Sequence, residues 1–348
     1  MPRVVGIDPG TVSIDVCGLV DGQLSLDRSW PTAEALADPE GFVRGLVEHQ
    51  QGRPDLVVAP SGYGLPLCAA DEATDDDLRL AFLASAGESG GIGGLRRLAR
   101  RLAAADIPLT YVPGVIHLDT VPEHRKVNRV DLGTADKLCT AALAVREHCH
   151  RRSRSLGQAA FILLELGGAF TAALAVQHGQ VVDGVGGTSG PIGWRAAGAL
   201  DGEVAYLAGE MTKGMLFQGG VETAGLARDV GIAAYVEGAA KAVHGLLVSA
   251  PAADEVLLSG RMAEDASIRE RLTGLLGSRL PLRPLTGFAR VAKQGAQGAA
   301  LIADGLAGGE QQALVAHLRI REAAGTVLDH LYVVSPAVAR RRLGLADA

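Results

Sequence analysis

Two carboxylates stand at the same place in the same short pattern. Asp8 follows the apolar run Val4–Ile7 and leads into Pro9-Gly10-Thr11, while Glu165 follows Phe161–Leu164 and leads into Leu166-Gly167-Gly168. A carboxylate at a strand end, then a glycine turn, then a second apolar strand, suits a nucleotide's phosphate tail. Glycine permits close approach and unusual φ, so the turn's backbone N–H groups can face phosphate oxygens. Thr11 and Ser13 add hydroxyl donors. Asp8 and Glu165 offer the oxygen ligands that Mg²⁺ prefers, directly or through its retained waters.

Read singly, each hairpin is an ordinary turn. Their register changes that reading. At a constant offset of 157 residues, Asp8 falls on Glu165, Gly10 on Gly167, Gly22 on Gly179 and Gln23 on Gln180, with no gap. An internal duplication is the simplest account. Two such hairpins facing each other across a cleft would clamp the β- and γ-phosphates, and phosphoryl transfer depends mainly on such positioning and charge stabilisation.

A third piece, "EVLLSGRMAED", ends a strand at Ser259-Gly260 and starts a helix near Arg261. The glycine would let adenine and ribose lie against the turn, near a helix N-terminus that favours negative charge. "QGAQGAALIADGL" brings small residues together on a helix, as a hinge or as generic close packing requires. On the acceptor side the densest polar region is Val115–Leu138. There Arg125 could neutralise a substrate carboxylate or the moving phosphoryl group. Asp136 could accept a hydroxyl proton or orient the acceptor, and His117 could stabilise transfer. A carboxylate acceptor would need no base at all. A solvated charged loop running into a helix is the competing reading of this region.

The elements that must hold these groups follow from the pattern. A hairpin unit over Val4–Leu26 is followed by a helix, a buried strand at Pro54–Gly64, an arginine-bearing helix with Arg96, Arg97, Arg100 and Arg101, and a strand in "LTYVPGVI". Thr134–Cys149 reads as a long helix. The basic stretch "HRRSRSLGQ" reads as the boundary between a domain over 1–155 and a second over 156–348. The second half repeats the hairpin, then predicts a mostly helical Glu203–Ser249, a strand at Glu255–Leu258, the strand "LPLRPL" and a final helical tail. "HCHRR" (His148, Cys149, His150) invites a metal reading, but adjacent helical residues point in different directions.

Composition bounds the function. The 348 residues suffice for two cores, with 48% apolar and 21% charged residues. A net charge of −6 gives no electrostatic reason to expect nucleic acid or an anionic membrane. Four cysteines without C-x-x-C spacing argue against a disulfide framework or zinc knuckle, and a cytoplasmic location is expected. No apolar run reaches the length needed to span a bilayer.

The order of parts (phosphate hairpin, connecting helix, second phosphate hairpin, adenosine turn, small-residue helix) resembles the acetate and sugar kinase/Hsp70/actin superfamily. More narrowly, "VVGIDPGT", "HRKVNRVDLGTADKL", "GALDGEVAYL" and "LSGRM" resemble the DUF1464 family of predicted butyrate kinases. The resemblance implies an α/β chain of two duplicated ribonuclease H-like domains with a nucleotide cleft between them. It implies ATP and Mg²⁺ as cofactors, a small-molecule acceptor such as a short-chain carboxylate, and no nucleic-acid or membrane partner; a homodimer is left open. A sugar or hydroxy-acid kinase is the alternative, and an ATP-driven filament or conformational protein the alternative of another class. The superfamily usually carries Asp where Glu165 stands, and Glu reaches one methylene further, so metal contact through water is the expectation there.

Overall fold

The computed structural model of the chain describes residues 2–10, 12–50, 52–59, 62–84, 100–102, 104–105 and 107–345. Thr11, Arg96 and Arg97 lie outside them. Two compact units form. The first comprises Met1–Val130, Thr134–Glu147 and Gly287–Ala348, and the second Asp131–Gly133 and His148–Thr286. The units therefore do not coincide with the two halves of the sequence, because the C-terminal segment packs with the first strands.

The first unit holds β1 (Arg3–Pro9), β2 (Ser13–Val20), β3 (Gln23–Pro31), β4 (Leu56–Val58), β5 (Cys68–Ala69) and β6 (Leu109–Tyr111) in the order β3-β2-β1-β4-β6-β5. The second holds β7 (Phe161–Leu166), β8 (Thr171–Gln177), β9 (Gln180–Val185), β10 (Val256–Ser259) and β11 (Leu282–Pro284) in the order β11-β10-β7-β8-β9. The same plan recurs: an antiparallel three-strand meander, extended from its first strand by two parallel strands.

The duplication extends below the level of topology. Asp21-Gly22 and His178-Gly179 both turn through positive φ, at 52° and 72° against 53° and 71°. Such consecutive left-handed residues make the two-residue turn that matches strand twist. Each second strand then shifts register at the same step, between Gly18 and Leu19 and between Ala175 and Val176.

Helix Gln294–Leu306 shows why the small residues are there. A Cβ on Gly6 of β1 would lie 2.1 Å from the Ala300 nitrogen, and one on Gly298 1.7 Å from the Cys139 carbonyl oxygen. Glycine thus lets this helix lie directly on β1 and against the part of helix Ala135–Arg152 that belongs to the first unit. Val5, Ile7, Ile14 and Val16 fill that unit's core, and Ile162, Leu164, Tyr235 and Val236 that of the second. Strands covered on both faces read as near-continuous apolar runs, as β1 and β7 do.

The expected helical stretch Glu203–Ser249 is broken. Short helices at Gly202–Ala208 and Lys213–Phe217 precede a long one at Arg228–Leu246. The basic stretch after Cys149 is also less solvated than its composition suggests. Arg151, Arg152 and His148 hold the fully buried Glu255, while Arg152 and Arg154 hold Asp254. No helix among the described residues is long and apolar enough to cross a membrane.

Candidate functional site

The first hairpin closes tightly. Gly10 donates its N–H to the Ser13 carbonyl at 2.9 Å and to the Asp8 carbonyl at 3.1 Å. A Cβ there would stand 2.8 Å from the Ser13 oxygen, so glycine is required by the turn itself. Thr32 steadies the bend through its hydroxyl on the Gly10 carbonyl, at 2.8 Å. Beneath the turn, Ser13 donates to the Asp15 carboxylate at 2.8 Å. Lys293 donates to the Ser13 hydroxyl at 2.6 Å and pairs with Asp15 at 2.9 Å. Asp15 is 2% exposed, so the lysine compensates a buried charge while keeping half of its own side chain in solvent.

Asp8, paired across the hairpin with Asp15, lies against the first turn of helix Gln294–Leu306. A Cβ on Gly295 would sit 2.7 Å from its Oδ2. The positive end of the helix dipole favours a carboxylate there. Asp136 belongs to the same neighbourhood: burial, then the Asp136 and Asp8 charges, push the Cys139 thiol well above its usual range. Burial would raise the Asp136 carboxyl too. The Lys137 ammonium and the Thr134 hydroxyl, both hydrogen-bonded to it, outweigh that and hold it below the usual carboxylate range. The structure thus gathers Asp8, Gly10, Ser13 and Lys293 around one end of β1, and Cys139 feels the charges of both Asp8 and Asp136.

The other acceptor-side residues have different surroundings. His117 is 3% exposed, its Nδ1 is 3.4 Å from the Gly114 carbonyl and its Nε2 has no hydrogen-bond partner. Burial lowers its pKa to about 4, so the ring is neutral at physiological pH. Its charged neighbours are Lys126, Asp329 and His330. Lys126 is itself buried and donates to the Leu118 carbonyl at 2.8 Å. Arg125 stands half-buried on the short helix Glu123–Lys126. Asp119 is held by Arg319 through a two-pronged pair that keeps its carboxyl low.

In the second unit, Gly167 donates its N–H to the Phe170 carbonyl at 3.0 Å, and its Cβ would stand 2.8 Å from that oxygen. Glu165 pairs with Ala172 across the hairpin and with Ser259 across the parallel β7–β10 edge. Gly260, at φ 90°, lets the chain pass Leu166 so closely that a Cβ would meet its carbonyl at 2.5 Å. Arg261 follows, its Cδ 3.9 Å from a Cβ built on Gly168. Glu165, Gly167, Gly168, Ser259, Gly260 and Arg261 therefore form one cluster. Within it the Ser259 hydroxyl is buried without a hydrogen-bond partner.

These donor sets fit Mg²⁺ and a phosphate tail: carboxylate oxygens at strand ends, hydroxyls beside them, and a lysine at the first turn. His148, Asp254 and Glu255 also bring ligand atoms within 4.8 Å of one another. Arginines occupy both of those carboxylates, so the group is an ion-pair network. Two features escaped the sequence. Lys293 has no motif and lies 280 residues from Ser13. The Gly186–Ser189 loop is folded onto Asp131, whose carboxylate accepts from the Thr188 N–H and hydroxyl at 3.0 Å each.

A family model described as "Protein of unknown function (DUF1464)" matches residues 6–333. No curated protein matches the chain in sequence. Among solved structures it is similar to a propionate kinase from Francisella tularensis subsp. tularensis SCHU S4, at TM-score 0.60 and 13% identity over 86% of this chain and 99% of that one. An acetate kinase from Porphyromonas gingivalis gives 0.57 and 13% over 86% and 98%. An acetate kinase from Entamoeba histolytica gives 0.56 and 11% over 78% and 85%. At these identities the likeness is one of fold alone.

Proposed function

This chain belongs to the DUF1464 family, and from that premise we propose that it is an ATP-dependent phosphotransferase acting on a small-molecule acceptor. The observation that carries the reading is the repeated turn: Gly10 and Gly167 close the same bend, with Asp8 and Glu165 at matching strand ends. Asp8 and Glu165 are the residues that would hold Mg²⁺, which supplies charge neutralisation on the phosphates when bound. Ser13 and Lys293 at one turn, and Gly168 and Arg261 at the other, are offered to phosphate oxygens. Ser259 and Gly260 are offered to the adenosine.

For the acceptor we propose a short-chain carboxylate. Asp136 is held ionised below its ordinary range, which makes it a weak proton acceptor. That favours an acceptor with no proton to lose. One carboxylate oxygen bonds to the γ-phosphorus, the bond to the β,γ-bridging oxygen breaks, and ADP leaves with that electron pair. Asp136 then orients rather than deprotonates, Arg125 neutralises the substrate carboxylate, and His117, being neutral, contributes as a hydrogen-bonding group only. The names of the similar structures, acetate and propionate kinases, support the same class.

The test is ADP release with Mg²⁺ATP against short-chain carboxylates, hydroxy acids and sugars, with hydroxylamine trapping of acyl phosphate. Carboxylate-dependent release with trapped product is expected. Release driven only by hydroxyl acceptors would move the assignment to an alcohol kinase, and release independent of any acceptor would overturn the kinase reading.

A further inference from the structure

We infer that Asp27 is a positioning residue for the first phosphate turn, because its carboxylate fixes the segment that carries Lys293 to Gly10 and Ser13. The inference rests on the reading of that turn as a phosphate site.

The segment is 287–293, immediately before helix Gln294–Leu306, and it is neither helix nor strand. Each of its backbone N–H groups from 287 to 292 donates to a side-chain oxygen. Gly287 donates to Glu147 at 2.7 Å, and Phe288 and Ala289 donate to Oε1 of Gln297 at 2.7 and 3.0 Å. Arg290, Val291 and Ala292 all donate to the Asp27 carboxylate, at 2.8, 3.0 and 2.6 Å. Asp27 reaches them from β3, the outer strand of the first sheet. Gln297, 1% exposed, holds the segment from the other side by donating to the Ala292 carbonyl at 2.8 Å.

The bonds of Arg290 and Val291 to Asp27 lie at the surface, where water would satisfy the same N–H groups. Each such bond therefore adds little net stability. What a carboxylate gathering three successive N–H groups does fix is the course of the backbone. The next residue is Lys293, whose side chain is 49% exposed and whose stem is long and flexible. Its Nζ nevertheless stands 2.6 Å from the Ser13 hydroxyl, and 3.3 Å from a Cβ built on Gly10. An ammonium on such a stem keeps that place only if its backbone is held, and a shift of about 1 Å is enough to spoil a contact in a reacting geometry. The same segment sets the start of the helix, where Gly295 lies against Asp8. As an anion, Asp27 does not itself favour phosphate; by charge alone its removal would tighten ATP binding. The positioning role carries the opposite sign.

The experiment is calorimetric titration of the full chain with Mg²⁺ATP, for the wild type, Asp27→Ala, Asp27→Asn, Lys293→Met and the double variant Asp27→Ala/Lys293→Met. Amide exchange at 290–292, circular dichroism and melting are followed in parallel. Asp27→Ala is expected to weaken ATP binding by about three- to tenfold, with faster exchange at 290–292 and a retained fold. Asp27→Asn, which keeps one carbonyl acceptor, is expected to fall between it and the wild type. The double variant is expected to bind no more weakly than Lys293→Met, since the effect of Asp27 runs through the lysine. If Asp27→Ala does not fold, Asp27→Asn decides by the same comparison. Unchanged or tighter binding in the Asp27 variants of a chain that binds ATP overturns this proposal alone. So does a double variant that loses the product of the two single effects. A wild type that binds no ATP overturns the phosphate reading of the turn and this proposal with it.

Discussion

Gly10 and Gly167 close the same turn 157 residues apart: each N–H donates to the carbonyl three residues on, at 2.9 and 3.0 Å. A Cβ on either would stand 2.8 Å from that oxygen. Neither residue has positive φ, so the constraint is steric rather than conformational. Alanine at either position must push the bend open. We expect Gly10→Ala and Gly167→Ala each to cost about 1–3 kcal/mol in urea denaturation. Each should also raise the apparent KM for ATP, since the displaced backbone is the part offered to phosphate. An unchanged KM in both variants would detach these turns from the nucleotide.

Much of this pairing was legible because it is local. Strand, carboxylate, glycine turn and the "DGQ"/"HGQ" turn are all short-range patterns, and a constant offset makes them visible together. The tight seat of helix Gln294–Leu306 was legible as a run of small residues, although not as packing on Gly6 and Cys139. What sequence could not supply were pairings made only by the fold. Lys293 reaches Ser13 and Asp15 from the far end of the chain, and Glu255 gathers arginines whose spacing alone looked like a solvated boundary. The polar neighbours of His117 in sequence do not disclose that the ring is buried. Its burial depends on segments hundreds of residues away, such as Ala324, which donates to its carbonyl at 3.0 Å.

Lys293 compensates the buried Asp15, and removing it leaves that carboxylate without its cation. Lys293→Met should destabilise the fold by about 1–3 kcal/mol, since Asp15 is buried while Lys293 is half in solvent. Asp15→Asn in the same chain should recover much of the loss. A double-mutant cycle read by chemical denaturation checks this, with a coupling of about 1–3 kcal/mol expected. A coupling near zero would mean that the pair is solvated in solution. If Lys293 also meets phosphate, the double variant will regain stability while its KM for ATP stays high.

His117 gives the fold a pH dependence of predictable sign. Its folded pKa of about 4 lies below the ordinary histidine value of 6.5, because burial disfavours the charged ring. Between those values the unfolded chain binds the extra proton, so stability rises with pH. The contribution is full above 6.5 and is lost as pH falls towards 4, by about 3 kcal/mol at most. Denaturation midpoints measured across this interval should show the loss, and His117→Phe should flatten it. An unaltered profile in that variant would locate the titration elsewhere. Glu255 acts lower: its folded pKa of about 2 preserves its contribution above 4.5 and surrenders it between 4.5 and 2.

Asp8 and Glu165 occupy equivalent strand ends but differ by a methylene, and their variants should separate two roles. Asp8 rests on Gly295 at the start of a helix, whose N-terminal dipole favours the carboxylate there. Asp8→Ala should therefore abolish turnover, by at least about a hundredfold, while the melting transition is retained. Glu165 pairs with Ser259 on the parallel edge, and its longer side chain suits contact with the metal through water. Glu165→Ala should shift the Mg²⁺ dependence of turnover to higher concentration and leave the saturated rate less affected. Glu165→Asp, which draws the carboxylate back by one methylene, should fall between the two. An Mg²⁺ titration identical in wild type and Glu165→Ala would remove Glu165 from the metal, and wild-type turnover in Asp8→Ala would remove the first hairpin from the chemistry altogether.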